Sequence, residues 1–256
     1  MSSVLGDMKA IILAGGYAKR LWPLTIDRPK PLLPLGNLYI LDYLMSKVWD
    51  VQDIEEVIIA TNKKFESNFI EWAESRGCDN VRIFPEPSKS EDEKLGPVKA
   101  IDLIIDAKGP SEYLIAAGDN LFSLNLRDMV SFYREVKSPV IALYEIGNLE
   151  LSKQYASVEL DSSRKIINFQ EKSPSPKSTL VSTGIYLLPW ESISRIKEYL
   201  AEGNPPDPIG KFIGWLASKQ NVYGFRFEGY WFDIGSKETY LSAQEAFSSL
   251  KYAGIK

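Results

Sequence analysis

Short apolar runs rich in β-branched residues recur along the first half of the chain: Lys9–Leu13, Val57–Thr61, Val81–Phe84, Tyr113–Ala117 and Val140–Tyr144. Such near-continuous apolarity, bounded by polar residues and glycine or proline, predicts strands buried on both faces. Between them, Leu41–Val51, Phe65–Arg76, Val98–Ala107 and Leu126–Val136 space their apolar residues three and four apart. That spacing predicts helices with one buried stripe each. Strand and helix alternate up to residue 144, which implies an α/β fold: a three-layer sandwich with a mostly parallel central sheet.

Beyond residue 144 the pattern changes. Ala156–Leu160 and Ile166–Gln170 flank Asp161-Ser162-Ser163-Arg164, a sequence suited to a hairpin turn. Val181–Leu187 and Val222–Phe227 predict further strands, and Glu191–Leu200, Pro208–Ser218 and Lys237–Phe247 predict helices. Ser88–Lys94 and Lys172–Ser178 read as loops, too short to be domain linkers, and Met1–Asp7 as a short extension. No internal repeat is visible. The expectation is one domain over residues 1–256, with 8–144 as one part and a β-rich part with C-terminal helices over 145–256.

Two features of composition narrow the chemistry. The 256-residue chain has one cysteine and no histidine. Intramolecular disulfides, cysteine zinc sites, two-histidine zinc sites and histidine-based nucleophilic catalysis are therefore excluded. Cys78 reads as a small buried residue. Any catalysis must run on carboxylates, Lys, Arg, backbone amides and a metal, which suits phosphoryl or nucleotidyl transfer. The formal net charge of −4 gives no support for a nucleic-acid surface. No segment approaches the apolar length of a membrane span, and the start lacks the features of a secretory signal, so the expected location is cytoplasmic.

The first strand runs directly into Ala14-Gly15-Gly16-Tyr17-Ala18-Lys19-Arg20-Leu21. Ligands of open α/β sheets bind beyond the C-terminal strand ends. A Gly-Gly pair there lets the backbone approach phosphate oxygens, and Arg20 and Lys30 add positive charge. Pro23, Pro29, Pro31 and Pro34 stiffen the loop. The segment is neither a Walker A motif nor G-x-G-x-x-G. A plain strand turning into a proline-rich connector with solvated cations would also account for it.

The run Leu13-Ala-Gly-Gly, Arg20-Leu-x-Pro23-Leu-Thr25 and Pro29-Lys30-Pro31-Leu-Leu-Pro34 resembles the signature of the sugar-1-phosphate nucleotidylyltransferases. It is most similar to the glucose-1-phosphate thymidylyltransferase and uridylyltransferase branch, and the likeness continues in order along nearly the whole chain. The resemblance implies a Rossmann-like nucleotide-diphospho-sugar transferase fold with a β-rich sugar-binding region. It implies that an NTP (dTTP or UTP) and a sugar 1-phosphate (glucose 1-phosphate) condense to a nucleotide-sugar and pyrophosphate. By the same resemblance Arg20 and Lys30 are catalytic, and Leu13, Ala14, Gly15, Gly16, Glu86, Gly96 and Gly118 bind the nucleotide. Asp119 of Gly118-Asp119-Asn120 and Asp233 of Trp231-Phe232-Asp233-Ile234-Gly235 bind magnesium, the implied cofactor. In isolation either Asp could equally be a cap or turn residue. Ala156, Glu171, Lys172, Thr183 and Gly184 bind the sugar phosphate. The family also allows a homo-oligomer, and no C-terminal left-handed β-helix is expected in this chain.

Some positions depart from the family pattern. Ala18 and Lys19 replace a Gly and a Ser or Thr, Pro97 replaces a small residue, and Ser173 intervenes before Pro174. Ala156 replaces a Gly near the sugar, which would crowd one hydroxyl position. Glu86 stands where a base-reading Gln or Glu is found. A carboxylate accepts from a pyrimidine N3–H or from guanine N1–H and N2–H, so the base is left open. A mannose-1-phosphate guanylyltransferase, a cytidylyltransferase acting on another phosphate, and a non-catalytic regulatory homologue are the alternatives. Retention of Arg20, Lys30, Asp119, Lys172 and Asp233 speaks against the last.

Overall fold

The computed structural model describes residues 8–252; the Met1–Asp7 extension lies outside them. The strands are β1 (Met8–Leu13), β2 (Pro34–Leu35), β3 (Leu38–Tyr39), β4 (Ile54–Asn62), β5 (Val81–Glu86), β6 (Glu112–Ala117) and β7 (Asn120–Phe122), then β8 (Val140–Glu145), β9 (Ala156–Leu160), β10 (Ile166–Glu171), β11 (Leu180–Leu188), β12 (Tyr223–Phe227) and β13 (Trp231–Asp233). The helices are α1 (Ile40–Trp49), α2 (Glu66–Ser75), α3 (Pro97–Lys108), α4 (Leu126–Val136), α5 (Leu149–Ser152), α6 (Trp190–Ile193), α7 (Ile196–Ala201), α8 (Ile209–Lys219) and α9 (Lys237–Tyr252).

A nine-stranded sheet forms the middle layer. Its main path is β5-β4-β1-β6-β11-β8-β12, and every strand on that path runs one way except β11, which is antiparallel to both β6 and β8. β11 has a register shift between Ser182 and Tyr186, and its first residues also meet β9 of the β9–β10 hairpin. Asp161 closes that hairpin by accepting from the Ser163 and Lys165 N–H groups.

The period-two geometry of strands sorts the side chains between two cores. From β1, Met8, Ala10 and Ile12 pack on one face with α1, α2 and α4, while Ile11 packs on the other with α3, α7 and α8. β4 and β6 divide in the same way: Val57, Ile59, Leu114 and Ala116 on the first face, Ile58, Ala60, Tyr113 and Ile115 on the second. Full burial of one such isoleucine contributes about 1.5–3 kcal/mol. A smaller core joins the first loop to α9 through Leu21, Leu33, Leu35, Ile234, Tyr240 and Ala243.

The structure differs from the sequence reading in four places. The helix expected at Glu191–Leu200 is two short helices, α6 and α7. The Trp231–Asp233 motif is itself a strand, paired with β7. α5 was not anticipated. Cys78 is half-buried, and burial pushes its thiol pKa up, away from a nucleophile's range. Among the described residues no helix is long and apolar enough to cross a membrane.

Candidate active site

Strand order reverses at β1, which has β4 on one side and β6 on the other. The crevice beyond such a reversal is where α/β sheets bind ligands. The first loop starts there. Its entry is tied into the sheet: the Ala14 N–H donates to the Ala60 carbonyl at 2.7 Å, and the Gly118 N–H donates to the Leu13 carbonyl at 2.9 Å. The buried Asn62 side-chain amide donates to the Gly15 carbonyl at 3.0 Å. Among the described residues neither the Gly15 nor the Gly16 N–H has an acceptor. Ala18 is held in the left-handed region at φ 49°, with the Thr25 hydroxyl donating to its carbonyl. A glycine occupies that region without strain, which explains the family's preference at this position.

Two groups of residues flank the loop. On the β4–β5 side a cavity of about 260 Å³ is lined by Leu13, Gly15, Gly16, Glu86 and Gly96, together with Thr61 and Lys94. Glu86 is buried and accepts from the Ser88 hydroxyl at 2.6 Å and from the Leu95 N–H at 3.3 Å. Gly96, at φ +83°, lies so close to the Pro206 carbonyl that a Cβ would sit 2.7 Å from its oxygen. Lys94 pairs with Asp207 at 3.1 Å across this cavity.

On the β6 side the charged residues gather. Lys30 pairs with Asp119 at the end of β6. Pairing of β13 with β7 sets Asp233 opposite Asn120, and the Ile234 N–H donates to the Asp119 carbonyl at 3.3 Å. The two carboxylates are therefore neighbours. Burial and the Asp119 charge push the Asp233 pKa up to about 6, against the pull of Lys30, Arg20 and Lys172. Lys172 has a left-handed backbone at φ 47°, and its N–H donates to the Tyr155 carbonyl at 2.9 Å. The Tyr155 hydroxyl pKa is raised by burial and by the same two aspartates. Asn120 stitches the site together, donating to the Thr183 carbonyl at 2.6 Å and accepting from the Trp231 indole at 3.3 Å.

Arg20, Lys30, Asp119, Lys172 and Asp233 thus converge. The remaining sequence-selected residues are placed otherwise. The Thr183 hydroxyl donates to the Ala142 carbonyl at 3.1 Å within the sheet, and Gly184 turns at φ +76° against Ala117 and Asn120. Ala156 is buried opposite Glu171 in the β9–β10 hairpin. The Glu171 carboxylate rests on Gly210, where a Cβ would lie 1.8 Å from its Oε2, and lines a second cavity of about 310 Å³ with Phe169, Lys211 and Trp215. Burial raises its pKa, against the pull of Lys172 and Lys211. Sequence reasoning missed Thr61, Lys94, Tyr155, Asn120 and Asp207. Asn120 and Tyr155 were visible only as neighbours of Asp119 and Ala156, and Thr61, Lys94 and Asp207 sit in no motif. Among the described residues no cluster of three or more His, Cys, Asp or Glu could form an all-protein metal cage.

Residues 9–249 match the model of the nucleotidyl transferase family. The glucose-1-phosphate adenylyltransferase of Clostridium kluyveri is 30% identical over 246 residues, covering 90% of this chain and 64% of that protein. The enzyme of the same name from Clostridium novyi is 29% identical over 254 residues, covering 91% and 65%. The chain thus spans less than two-thirds of the length of either relative. A provisionally assigned glucose-1-phosphate thymidylyltransferase from Bacillus anthracis, solved with sucrose, superposes with a TM-score of 0.82 at 27% identity, covering 94% of this chain and 95% of that one. A UDP-glucose pyrophosphorylase complexed with UDP-glucose has the same fold, with a TM-score of 0.78 at 22% identity over 94% of this chain and 98% of that one. The chain belongs to the nucleotidyl transferase family. Within it, the chain is a member of the sugar-1-phosphate nucleotidylyltransferases that the signature over Leu13–Pro34 resembles.

Proposed function

We propose that the protein condenses a nucleoside triphosphate with a sugar 1-phosphate, releasing pyrophosphate, and that dTTP or UTP and glucose 1-phosphate are its substrates. The observation that supports this reading most is the half-buried Asp119–Asp233 pair facing Lys30, Arg20 and Lys172 at the strand ends. Two like charges held together in a half-buried site are costly, and a divalent cation relieves them. Magnesium suits the donor set, because it takes one or two carboxylates and fills its other positions with phosphate and water oxygens. Asp119 and Asp233 would hold it; when bound, it neutralises charge on the phosphates and the departing pyrophosphate.

The chain's own groups do the rest. The Gly15 and Gly16 N–H groups and Arg20 hold triphosphate oxygens. Lys172 holds the sugar phosphate, and Lys30 steadies the reacting phosphates. A sugar-phosphate oxygen attacks the α-phosphorus in line. That P–O bond forms as the bond to pyrophosphate breaks. The nucleophile is already an anion, so no histidine or other general base is required. The glucose moiety accords with the relatives named above. Their adenylyltransferase names favour a second reading, in which ATP is the nucleotide.

Pyrophosphate release from each NTP mixed with glucose 1-phosphate and magnesium tests the proposal. Turnover is expected, and Arg20→Ala should lower it on the order of 100-fold with an unchanged melting curve, because a preorganised charge at the leaving group is lost. Absence of pyrophosphate with every NTP would overturn the reading.

A further inference from the structure

The backbone does not demand a glycine at the start of α8. Gly210 is the second residue of that helix, is buried, and has no positive φ. Helix propensity favours alanine over glycine there. What excludes a side chain is one group on the facing strand. A Cβ on Gly210 would stand 1.8 Å from Glu171 Oε2, 2.8 Å from its Cδ and 3.5 Å from its Oε1, so the three nearest atoms all belong to one carboxylate. The first of these distances is more than an ångström inside the closest approach that such atoms make. One turn further along, Gly214 instead faces the Phe169 ring, at 3.0 Å.

Shape alone holds that carboxylate. Glu171 is half-buried at the end of β10, and among the described residues its carboxylate has neither a hydrogen-bond donor nor an ion-pair partner. Burying an acceptor without a donor is costly, and here burial raises the pKa. Such a group marks a place that a donor from elsewhere completes, and a sugar brings hydroxyl donors. The charges that act on Glu171 include Lys172, from the phosphate-facing cluster, and Asp207, from the wall of the nucleotide-side cavity. Glu171 therefore stands between the two parts of the proposed site.

We infer that Gly210 is a positioning residue for sugar recognition: the space it leaves on α8 sets where the Glu171 carboxylate stands to accept from a sugar hydroxyl. A side chain at this position would push the carboxylate off α8 by more than an ångström. A hydrogen bond does not survive a displacement of that size. The inference rests on the proposed sugar-phosphate site at Glu171 and Lys172, but not on catalysis.

Equilibrium binding of the full chain to UDP, UDP-glucose, ADP and ADP-glucose, with magnesium, tests it. Gly210→Ala should weaken the nucleotide-sugar about 10-fold or more, the loss expected for a hydrogen bond to a charged group, and leave the free diphosphate unchanged. It should melt no lower than the parent, because the tip of a flexible side chain gives way and alanine suits the helix. In turnover the KM for glucose 1-phosphate should rise by a similar factor while the KM for the NTP stays the same. Glu171→Ala should also weaken the nucleotide-sugar, and Gly210→Ala added to it should change nothing further, since the colliding group is gone. Unaltered nucleotide-sugar binding in Gly210→Ala would overturn the inference, as would an equal loss with and without the Glu171 side chain. Lowered melting temperatures in both the single and the double variant would also overturn it, making Gly210 a packing residue. The expected binding pattern without pyrophosphate release would uphold it while overturning the catalytic proposal. Turnover in the parent with no effect of Glu171→Ala on the nucleotide-sugar would do the opposite.

Discussion

Asp233 shows how a residue proposed to hold a metal can work against stability. It is half-buried beside Asp119, and burial and that neighbouring charge raise its pKa to about 6. Replacing it with Asn removes the repulsion and keeps the shape. The Asp233→Asn protein, without nucleotide or metal, should melt about 2–4 °C higher, the shift that roughly 1 kcal/mol makes in a chain of this size. It should also lose pyrophosphate release. Differential scanning calorimetry and the release assay check the two halves. A lowered melting temperature would show that Asp233 is a structural residue. The residue scale also shows where sequence reading ends. Asp119 and Asp233 were visible as separate motifs, as were Gly15, Gly16 and Lys30. Asp207 was not, because only three-dimensional packing brings it to Lys94 across the cavity.

Between elements, the contact of α1 with α2 is fixed by one acid. Asp42 is 9% exposed and accepts from the Tyr39 N–H at 2.8 Å, the Trp72 indole at 2.9 Å and the Arg76 guanidinium at 2.8 Å. Burial alone would raise its pKa, but these bonds outweigh burial and hold it below 3.8. A lowered pKa means that the stabilisation is present above pH 3.8 and is lost as pH falls through the lower folded value. Asp42→Asn should cost about 2–4 kcal/mol near neutral pH, since it leaves Arg76 without its acceptor. In urea unfolding the gap from the parent protein should close as pH falls below about 4. A gap independent of pH would refute the assignment. Element types and most boundaries were readable from periodicity, because β1, β4 and β6 are apolar on both faces and α1 to α4 on one stripe. What periodicity could not supply was pairing. Trp231-Phe232-Asp233 is too short to announce itself as a strand. Yet its pairing with β7 is what brings Asp233 to Asp119.

At the scale of the whole molecule, the sequence divides near residue 144 but the sheet does not. β6 and β8 both precede that point, and neither pairs with the other; β11 lies between them. The alternation of strand and helix implied a mostly parallel sheet but not which strand would run against the others, since a strand's direction leaves no mark on its hydrophobic pattern. The antiparallel β11 also carries Thr183 and Gly184 to the ends of β6 and β7. The position of β11 has a consequence for synthesis on the ribosome. Until residues 180–188 emerge, β6 and β8 each present an unpaired edge, and the two halves of the sheet have nothing to hold them side by side. Such edges are templates for association with other chains. A chain truncated after residue 150 should therefore aggregate in light scattering at concentrations where the full chain stays dispersed. A monomeric, cooperatively folding fragment would mean that β11 joins a sheet already formed. The strand that carries Thr183 and Gly184 to the candidate site is also the one that joins the two halves of the sheet as the chain is made.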